Sequence, residues 1–251
     1  MPVQFDPKIH LAYAPPESRI MMADLGKAGE GIAPPFPLLS EEGVRTIREE
    51  IFSSHILDRC THTTDPACQI RGMSCRPGFA SFNEALWTHS ETIRVVSEAA
   101  GIDLVPIIPY EGGETALACA DGSVRKIRGP QMGWAIMLQG RYIDHAALSA
   151  YSAPERVTMV TSYRARDVMV ADDSVLTTVR RMANLNELYY EWSTYRLDLL
   201  SERFRHQSKV LKKKREDGQG QWGEEIVKKD ELKAWCREQI KYLQTTIDEM
   251  V

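Results

Sequence analysis

The sequence predicts an α+β fold, in which a jelly-roll or small β-barrel is flanked by helices on both sides. Apolar residues recur at helical spacing up to Gly101 and again beyond residue 183, whereas the stretch between them reads as short strands. Turns containing glycine separate these strands at intervals of about 8–12 residues, which is typical of jelly-rolls and barrels. We therefore predict an extended arm over 1–39, helices and a jelly-roll core over 40–182, and a C-terminal helical extension over 183–251.

The composition is that of an ordinary globular protein, with 43% hydrophobic and 26% charged residues among 251. The net charge of -4 carries no basic excess, so nucleic acid is not an expected partner. No apolar run approaches the roughly 20 residues of a membrane span, and the first residues lack a signal peptide's apolar region. The five cysteines are odd in number and include no CxxC pair. We expect reduced thiols in a cytoplasmic protein.

The N-terminal arm, rich in proline and glycine, leads into two predicted helices. Ser40 is expected to cap the first of them, because its hydroxyl can accept from a free backbone N–H and acidic residues follow at Glu41 and Glu42. The second is predicted over residues 83–100, with Gly101 ending it in the left-handed conformation.

Six strands are predicted after Gly101, at 104–108, 115–119, 124–127, 134–138, 142–146 and 156–163. Asp121-Gly122, between the second and third of them, is a strong hairpin signal.

Two long helices are predicted to close the chain. Asn184 and Glu187 resemble a capping box at the start of the first helix. The apolar stripe of that helix consists of Leu188, Trp192, Tyr195, Leu199 and Phe204. Asp230 is expected to cap the last helix. The predicted apolar side of the last helix consists of Leu232, Trp235, Ile240, Leu243 and Ile247.

The residues with the clearest chemical potential lie between Gly140 and Arg166. His145 is followed, eleven positions later, by Arg156-Val157-Thr158. Non-haem iron oxygenases need such a pairing, in which the histidine binds Fe(II) and the arginine binds the far carboxylate of a 2-oxo acid bidentately. The hydroxyl of Thr158 is placed to share that carboxylate. The alternatives are a histidine satisfied within a strand and an arginine paired structurally with Glu155.

Two further polar residues, Gln69 and Arg71, lie in an irregular segment over 54–80. They are candidates for lining a substrate pocket. A role in stabilising the loop is equally compatible with their positions.

A series of motifs extends over nearly the whole chain, and together they resemble a family of fungal Fe(II)/2-oxoglutarate-dependent oxygenase-like proteins. This family includes an oxygenase that forms an aziridine in the biosynthesis of 2-aminoisobutyrate in alkaloid clusters. The motifs are HLAY (10–13), FPLL (36–39), CQIRG (68–72), WTHSET (87–92), GIDLVP (101–106), GGETAL (112–117), RGPQMGWAIMLQGRYIDH (128–145), PERVTMVTSYR (154–164) and ELYYEWSTYRLDLL (187–200).

The resemblance implies a double-stranded β-helix (jelly-roll) core, Fe(II) and 2-oxoglutarate as cofactors, and O2 as co-substrate. The substrate is expected to be a small, amino-acid-like molecule of secondary metabolism. His145 corresponds to the distal iron ligand, and Arg156 corresponds to the 2-oxoglutarate anchor. The resemblance does not predict the oligomeric state.

One element of the family is missing. Its first two iron ligands form a His-x-Asp stretch just before GGETAL, whereas here Tyr110-Glu111 runs directly into Gly112. A segment absent from the printed sequence, an exon omitted from the gene model, and a true deletion all account for this. Glu114 and Asp144 are acids that could approach His145, and His89 is expected to have a surface or helix-capping role rather than to bind metal. The rival hypothesis is a catalytically inactive relative that binds a small anion at Arg156 or serves a partner.

Overall fold

The computed structural model describes residues 3–16, 20–21, 27–64, 67–70, 72–73, 78–110, 116–118, 124–126, 132–146, 157–177, 179–180, 185–217 and 226–251. The chain divides into two compact units, Met1–Ser174 and Val175–Val251. The division into arm, core and extension made from the sequence stays a prediction.

The first unit contains all the strands and five of the helices that the structure describes. In chain order these are α1 (Pro7–His10), β1 (Ile20–Met21), β2 (Glu30–Pro37), α2 (Glu41–Ile51), α3 (Ser54–Cys60), β3 (Thr61–Thr64), β4 (Ala67–Ile70), α4 (Ser81–Thr88), α5 (Ser90–Ala100), β5 (Leu104–Tyr110), β6 (Ala116–Ala118), β7 (Val124–Lys126), β8 (Trp134–Leu138), β9 (His145–Ala146) and β10 (Val160–Ala165).

Helix α2 begins where the sequence predicts. The hydroxyl of Ser40 accepts a hydrogen bond from the backbone N–H of Gly43 at 3.0 Å, which confirms Ser40 as the N-cap. Glu41 and Glu42 lie in the first turn, where carboxylates are favoured by the helix dipole. The same hydroxyl donates to the carbonyl of Ile9, so the cap also ties the arm to α2.

The single helix predicted over 83–100 is wrong, because His89 divides it into α4 and α5. His89 has extended backbone angles (φ -65°, ψ 137°), and its Nδ1 accepts from the N–H of Glu91 at 3.1 Å. A side chain that caps the following helix competes with continuation of the preceding one. Of the two roles expected for His89, at the surface or as a cap, the structure shows the cap. Gly101 ends α5 with φ 64°, as predicted.

Helix α4 has no side-chain cap of its own, and Glu50 of α2 supplies one. The Glu50 carboxylate accepts hydrogen bonds from the N–H groups of Phe82 and Asn83, at 2.8 and 2.7 Å. Both donors lie in the first turn, where helix N–H groups lack partners within the helix. This contact fixes α4 against α2 and so helps to close the core of the first unit.

The described strands form four antiparallel sheets of two or three strands, with orders β1-β2-β8, β10-β5, β3-β4 and β7-β6-β9. Pairing of Leu117 with Arg125 confirms the hairpin between β6 and β7, although Asp121 and Gly122 lie outside the described residues. Strand β8 has the predicted bounds. The predicted strand 142–146 is shortened to β9, because residues 139–144 form a turn. The jelly-roll stays a prediction.

The core of the first unit lies where α2, α4 and α5 pack beside β2. Its most buried large side chains include Phe36, Ile47, Ile51, Phe82, Leu86 and Val95. Strand β2 contacts helix α5 and pairs with strand β8. In this pairing Ala33 lies opposite Met137. The arm is therefore part of the folded unit, and the turn that follows β8 is held close to it.

The second unit contains two helices, α6 (Leu185–Glu216) and α7 (Lys229–Asp248). Asn184, the predicted cap of α6, lies outside the described residues. The N-cap of α7 is Lys228, so the prediction of Asp230 as the cap is wrong by two positions. Asp230 lies instead in the first turn, where its charge still favours the helix N-terminus.

The packed face of α7 differs from the predicted one. Its buried residues are Gln239, Tyr242 and Thr246, whereas Ile240 and Ile247 are 67% and 52% exposed. The cause lies on α6, where Arg196 is buried and needs acceptors. Its Nε donates to the Thr246 hydroxyl at 2.9 Å and its Nη2 donates to the Tyr242 carbonyl at 2.9 Å.

On α6, Leu188, Trp192 and Leu199 are buried, as predicted. The prediction of Phe204 as part of the packed stripe is wrong, because its side chain is 51% exposed, with an edge contact to Trp235 of α7. Among the described residues, neither of these helices, nor any other, is long and apolar enough to cross a membrane.

Candidate functional site around His145

His145 begins strand β9, at the edge of the sheet formed with β6 and β7. It lies opposite Leu117 in an antiparallel register. The side chain of His145 is exposed. The backbone is thus held by sheet pairing while the imidazole remains accessible to a ligand.

A hydrogen bond fixes the tautomer of the His145 ring. Its Nδ1 lies 2.8 Å from the carbonyl oxygen of Ile143. Because a carbonyl only accepts, Nδ1 carries the hydrogen in this bond. In the neutral ring, the lone pair is therefore on Nε2. An imidazole held in this way is the form in which histidine binds a metal.

Gly140 provides the space for this ring. A methyl group at Gly140 would lie 3.0 Å from Cε1 of His145 and 3.2 Å from Cδ1 of Leu138. Both distances are shorter than ordinary van der Waals contacts, so any larger side chain would displace the imidazole. The glycine was predicted only as a break between strands.

The turn between β8 and His145 is held by Gln139. The carbonyl of Gln139 accepts from the N–H of Tyr142 at 2.9 Å, which closes the turn. Its side-chain amide donates to the carbonyls of Ala28 and Glu30 in the arm, at 2.9 and 3.1 Å. The intervening Gly29 has φ 84°, and a Cβ there would lie 2.8 Å from Cγ2 of Ile102.

A cluster of three polar side chains braces the same turn from the other side. Tyr142 donates its hydroxyl hydrogen to the Asp173 carboxylate, and Lys27 Nζ lies 3.1 Å from the same carboxylate oxygen. Lys27 also lies over the Tyr142 ring, 4.5 Å from its centre. The guanidinium Nε of Arg141 donates to the Asp173 backbone carbonyl at 3.2 Å. We refer to Lys27, Tyr142 and Asp173 as the strap.

The strap perturbs the titration of its members. The hydrogen bond from Tyr142, followed by that from Lys27, lowers the pKa of Asp173. Hydrogen bonds to Tyr142 and Asp173 raise the pKa of Lys27. Burial, followed by the bond to Asp173, raises the pKa of Tyr142. Each shift favours the state with a charged lysine, a neutral tyrosine and a charged aspartate.

Of the other predicted site residues, the structure describes Thr158 and the backbone of Gln69. Thr158 is half-buried and precedes β10, which pairs with β5 rather than with the sheet of His145. Gln69 lies in β4, where its backbone is opposite His62, and its side chain is not among those that the structure describes. Arg156, Arg71 and Glu114 lie outside the described residues. The anchor and pocket roles therefore stay predictions.

The described residues do not fit a complete iron site. Among them, no three histidine, cysteine or acidic side chains are grouped so as to hold a metal ion. Asp144 is exposed and adjacent to His145 in the sequence, so it is at most a second candidate ligand. A facial Fe(II) site needs two histidines and one carboxylate, so one histidine alone does not define it.

Local sequence signals could not have identified Gln139 or the strap. Lys27, Tyr142 and Asp173 are far apart along the chain, and only the fold brings them together. Comparison of the chain with protein-family models, with curated proteins and with solved structures gave no match.

Proposed function

We propose that this protein is a relative of the Fe(II)/2-oxoglutarate-dependent oxygenases of fungal secondary metabolism and acts on a small, amino-acid-like substrate. The observation that carries the proposal is the His145 ring, whose Nδ1 is engaged by Ile143 and whose Nε2 is available beside a glycine. The ordered motifs from residue 10 to residue 200 support it. O2 is the co-substrate that this function requires.

In this proposal, the residues of the chain bind and position. His145 supplies one metal ligand, and Gly140 and the strap keep its turn in place. Arg156 and Thr158 bind the far carboxylate of 2-oxoglutarate, a task that suits the planar guanidinium. Because the described residues supply only one clear ligand, no catalytic step is assigned to the metal.

The test is anaerobic titration of the protein with Fe(II) and 2-oxoglutarate. An Fe(II)–2-oxo acid chelate has a visible charge-transfer absorption, which should appear with the wild-type protein. His145→Ala should abolish it or weaken iron binding by at least about 100-fold, given that even outer-shell changes cost about 10–100-fold. His206→Ala, an exposed histidine of α6, is the matched control and should bind normally. Failure of the wild-type protein to bind iron would contradict the oxygenase proposal.

A second candidate function is binding of a small anion by a catalytically inactive relative. The direct run of Tyr110-Glu111 into Gly112, where the family's His-x-Asp stretch is expected, favours it. This protein would bind 2-oxoglutarate in the presence of a chelator and lose it on Arg156→Gln. Calorimetric titration with and without chelator separates the two functions, because the oxygenase needs iron for tight binding.

The intact mass of the protein from its native source tests whether the missing segment is present in the protein. A mass of 28.4 kDa would match the printed sequence and favour the second candidate. A mass several kilodaltons higher would indicate a segment able to carry the His-x-Asp ligands.

A further inference from the structure

Helix α6 exposes a regular row of large apolar side chains. Tyr190, Leu197 and Phe204 are 69%, 55% and 51% exposed, and they are spaced seven residues apart. Half-buried Leu211 continues the row by one more step. A seven-residue spacing drifts by only about 20° per step on a straight helix, so the four side chains form a continuous stripe along one face.

Small hydroxyl residues occupy the intermediate positions of the same face. Thr194, Ser201 and Ser208 each lie four residues after a large apolar member, which completes a 4-3 heptad pattern over three repeats. Heptad patterns of this kind are buried between helices. Alternation of large and small side chains allows the two facing helices to interdigitate. We call this face the heptad face.

Helix α7 packs on a different face of α6. Its contacts are made to Trp192, Arg196 and Arg203, through hydrogen bonds to Thr246, Tyr242 and Gln239. At 100° per residue, these positions lie about 110–150° around the helix from the middle of the heptad face. At the C-terminal end of the heptad face, Phe204 makes an edge contact with Trp235 of α7. Because Tyr190, Leu197 and Phe204 all remain more than half exposed, α7 covers this face only in part.

The charges of α6 indicate what covers this face. Acidic residues flank the stripe in the N-terminal half, at Glu191 and Asp198, whereas Arg205 and Lys209 flank it in the C-terminal half. Two antiparallel copies of α6 place each acidic half beside a basic half. Two parallel copies would place like charges together, at a cost.

We propose that the heptad face is the interface of a homodimer in which two α6 helices pair antiparallel about a two-fold axis near Ser201. In this arrangement Leu197 packs against Phe204 of the second copy, and Tyr190 packs against Leu211. An interface of this kind is self-complementary, as two-fold symmetry requires.

Glu191 illustrates the charge pairing that the antiparallel arrangement allows. Burial and the neighbouring Glu187 carboxylate raise the pKa of Glu191 to about 7. In the antiparallel dimer, Lys209 of the second copy lies beside Glu191 and stabilises its charge. Within one helix these two residues are 18 positions, or about 27 Å, apart, so they cannot pair with each other.

The first experiment is sedimentation equilibrium of the full chain. The wild-type protein should dimerise, and Leu197→Glu should raise the dissociation constant at least about 100-fold, because it buries a carboxylate against Phe204. Ile240→Glu, at an apolar residue of α7 that is 67% exposed, is the matched control and should leave the dimer intact. A wild-type protein that is monomeric up to about 100 μM would overturn the proposal. Dissociation by Ile240→Glu with no effect of Leu197→Glu would also overturn it.

Cysteine cross-linking tests the orientation. Ser201→Cys should give a covalent dimer under mild oxidation, because the two copies of residue 201 meet at the axis and satisfy the short reach of a disulfide. Ser208→Cys should not, since its two copies lie far apart. Dimers from both variants would indicate parallel helices and overturn the antiparallel arrangement.

Exchanging the charges of Glu191 and Lys209 tests whether a second copy of this chain covers the heptad face. Glu191→Lys alone should weaken the dimer at least about tenfold, and adding Lys209→Glu should restore it. Restoration requires a second copy, because the two sites are too distant within one chain. Absence of restoration would indicate that the face binds a different protein or remains exposed.

Discussion

Arg196 shows how a single buried charge determines the packing of the second unit. Its guanidinium is 1% exposed and lies 3.3 Å from the centre of the Tyr242 ring and 4.7 Å from that of Trp192. Desolvation of a cation is costly unless hydrogen bonds and aromatic faces replace water. The Thr246 hydroxyl and the Tyr242 carbonyl provide those bonds.

We predict that Arg196→Lys lowers the free energy of unfolding by about 2–3 kcal/mol. Lysine keeps the charge but cannot reach both acceptors with a planar group or stack on the rings. Urea denaturation at one protein concentration measures the change. Arg237→Lys, an exposed position on α7, is the control and should change the value by less than about 0.5 kcal/mol. Equal losses in the two variants would contradict a specific role for the buried guanidinium.

At the scale of elements, Glu50 provides the cap that α4 lacks locally. We predict that Glu50→Gln destabilises the protein by about 1–2 kcal/mol, because the amide retains one acceptor and loses the charge favoured at a helix N-terminus. Thermal and urea unfolding measure this. The neighbouring Glu49→Gln is the control, since Glu49 is exposed and forms a surface ion pair with Arg45 of the same helix. A Glu50 variant as stable as the Glu49 variant would show that the cap contributes little.

Helix ends could be predicted from the sequence where the signal is local. Ser40 and Gly101 act within a few residues of themselves and have the predicted roles, whereas the division of the predicted helix at His89 was not predicted. The buried face of α7 could not be predicted, because Gln239 and Thr246 are buried in response to arginines on another helix. Apolar periodicity alone identifies a packed face only when the partner helix is apolar as well.

The same limit applies to the candidate site. The spacing of His145 and Arg156 is visible in the sequence, and so is the glycine at position 140. The turn between β8 and His145, here called the histidine turn, is positioned by bonds from Gln139 and from the strap. Within the strap, Lys27 and Tyr142 are more than 100 residues apart in the sequence. No local pattern predicts such contacts.

At the scale of the first unit, the strap connects the arm, the histidine turn and the segment after β10. The hydrogen bond from Tyr142, with Lys27 beside it, holds the pKa of Asp173 below its ordinary value of 3.8. A carboxyl group with a lowered folded-state pKa stabilises the fold above its unfolded-state pKa. That stabilisation is lost as the pH falls through the folded-state value.

We therefore predict that Asp173→Asn lowers the melting temperature by about 1–3 °C at neutral pH, a modest change because the carboxylate is largely exposed. The difference from the wild-type protein should vanish as the pH falls through the lowered pKa of Asp173 and the carboxylate becomes protonated. Calorimetry from about pH 2 to about pH 7 measures the difference. Asp144→Asn is the control, and a loss of stability for Asp173→Asn that persists unchanged in acid would contradict the assignment to charge.

The two bonds from Gln139 to the arm have an evolutionary consequence. The two bonds go to the carbonyls on either side of Gly29, at a position where any side chain would collide with Ile102. Ala28 and Gln139 are 111 positions apart in the sequence. A substitution at Gly29 would shift the carbonyls that hold Gln139 and thereby move the turn that presents His145. Selection on the histidine should therefore extend to a glycine in the arm, and variation at positions 29 and 139 should be inherited together across related sequences.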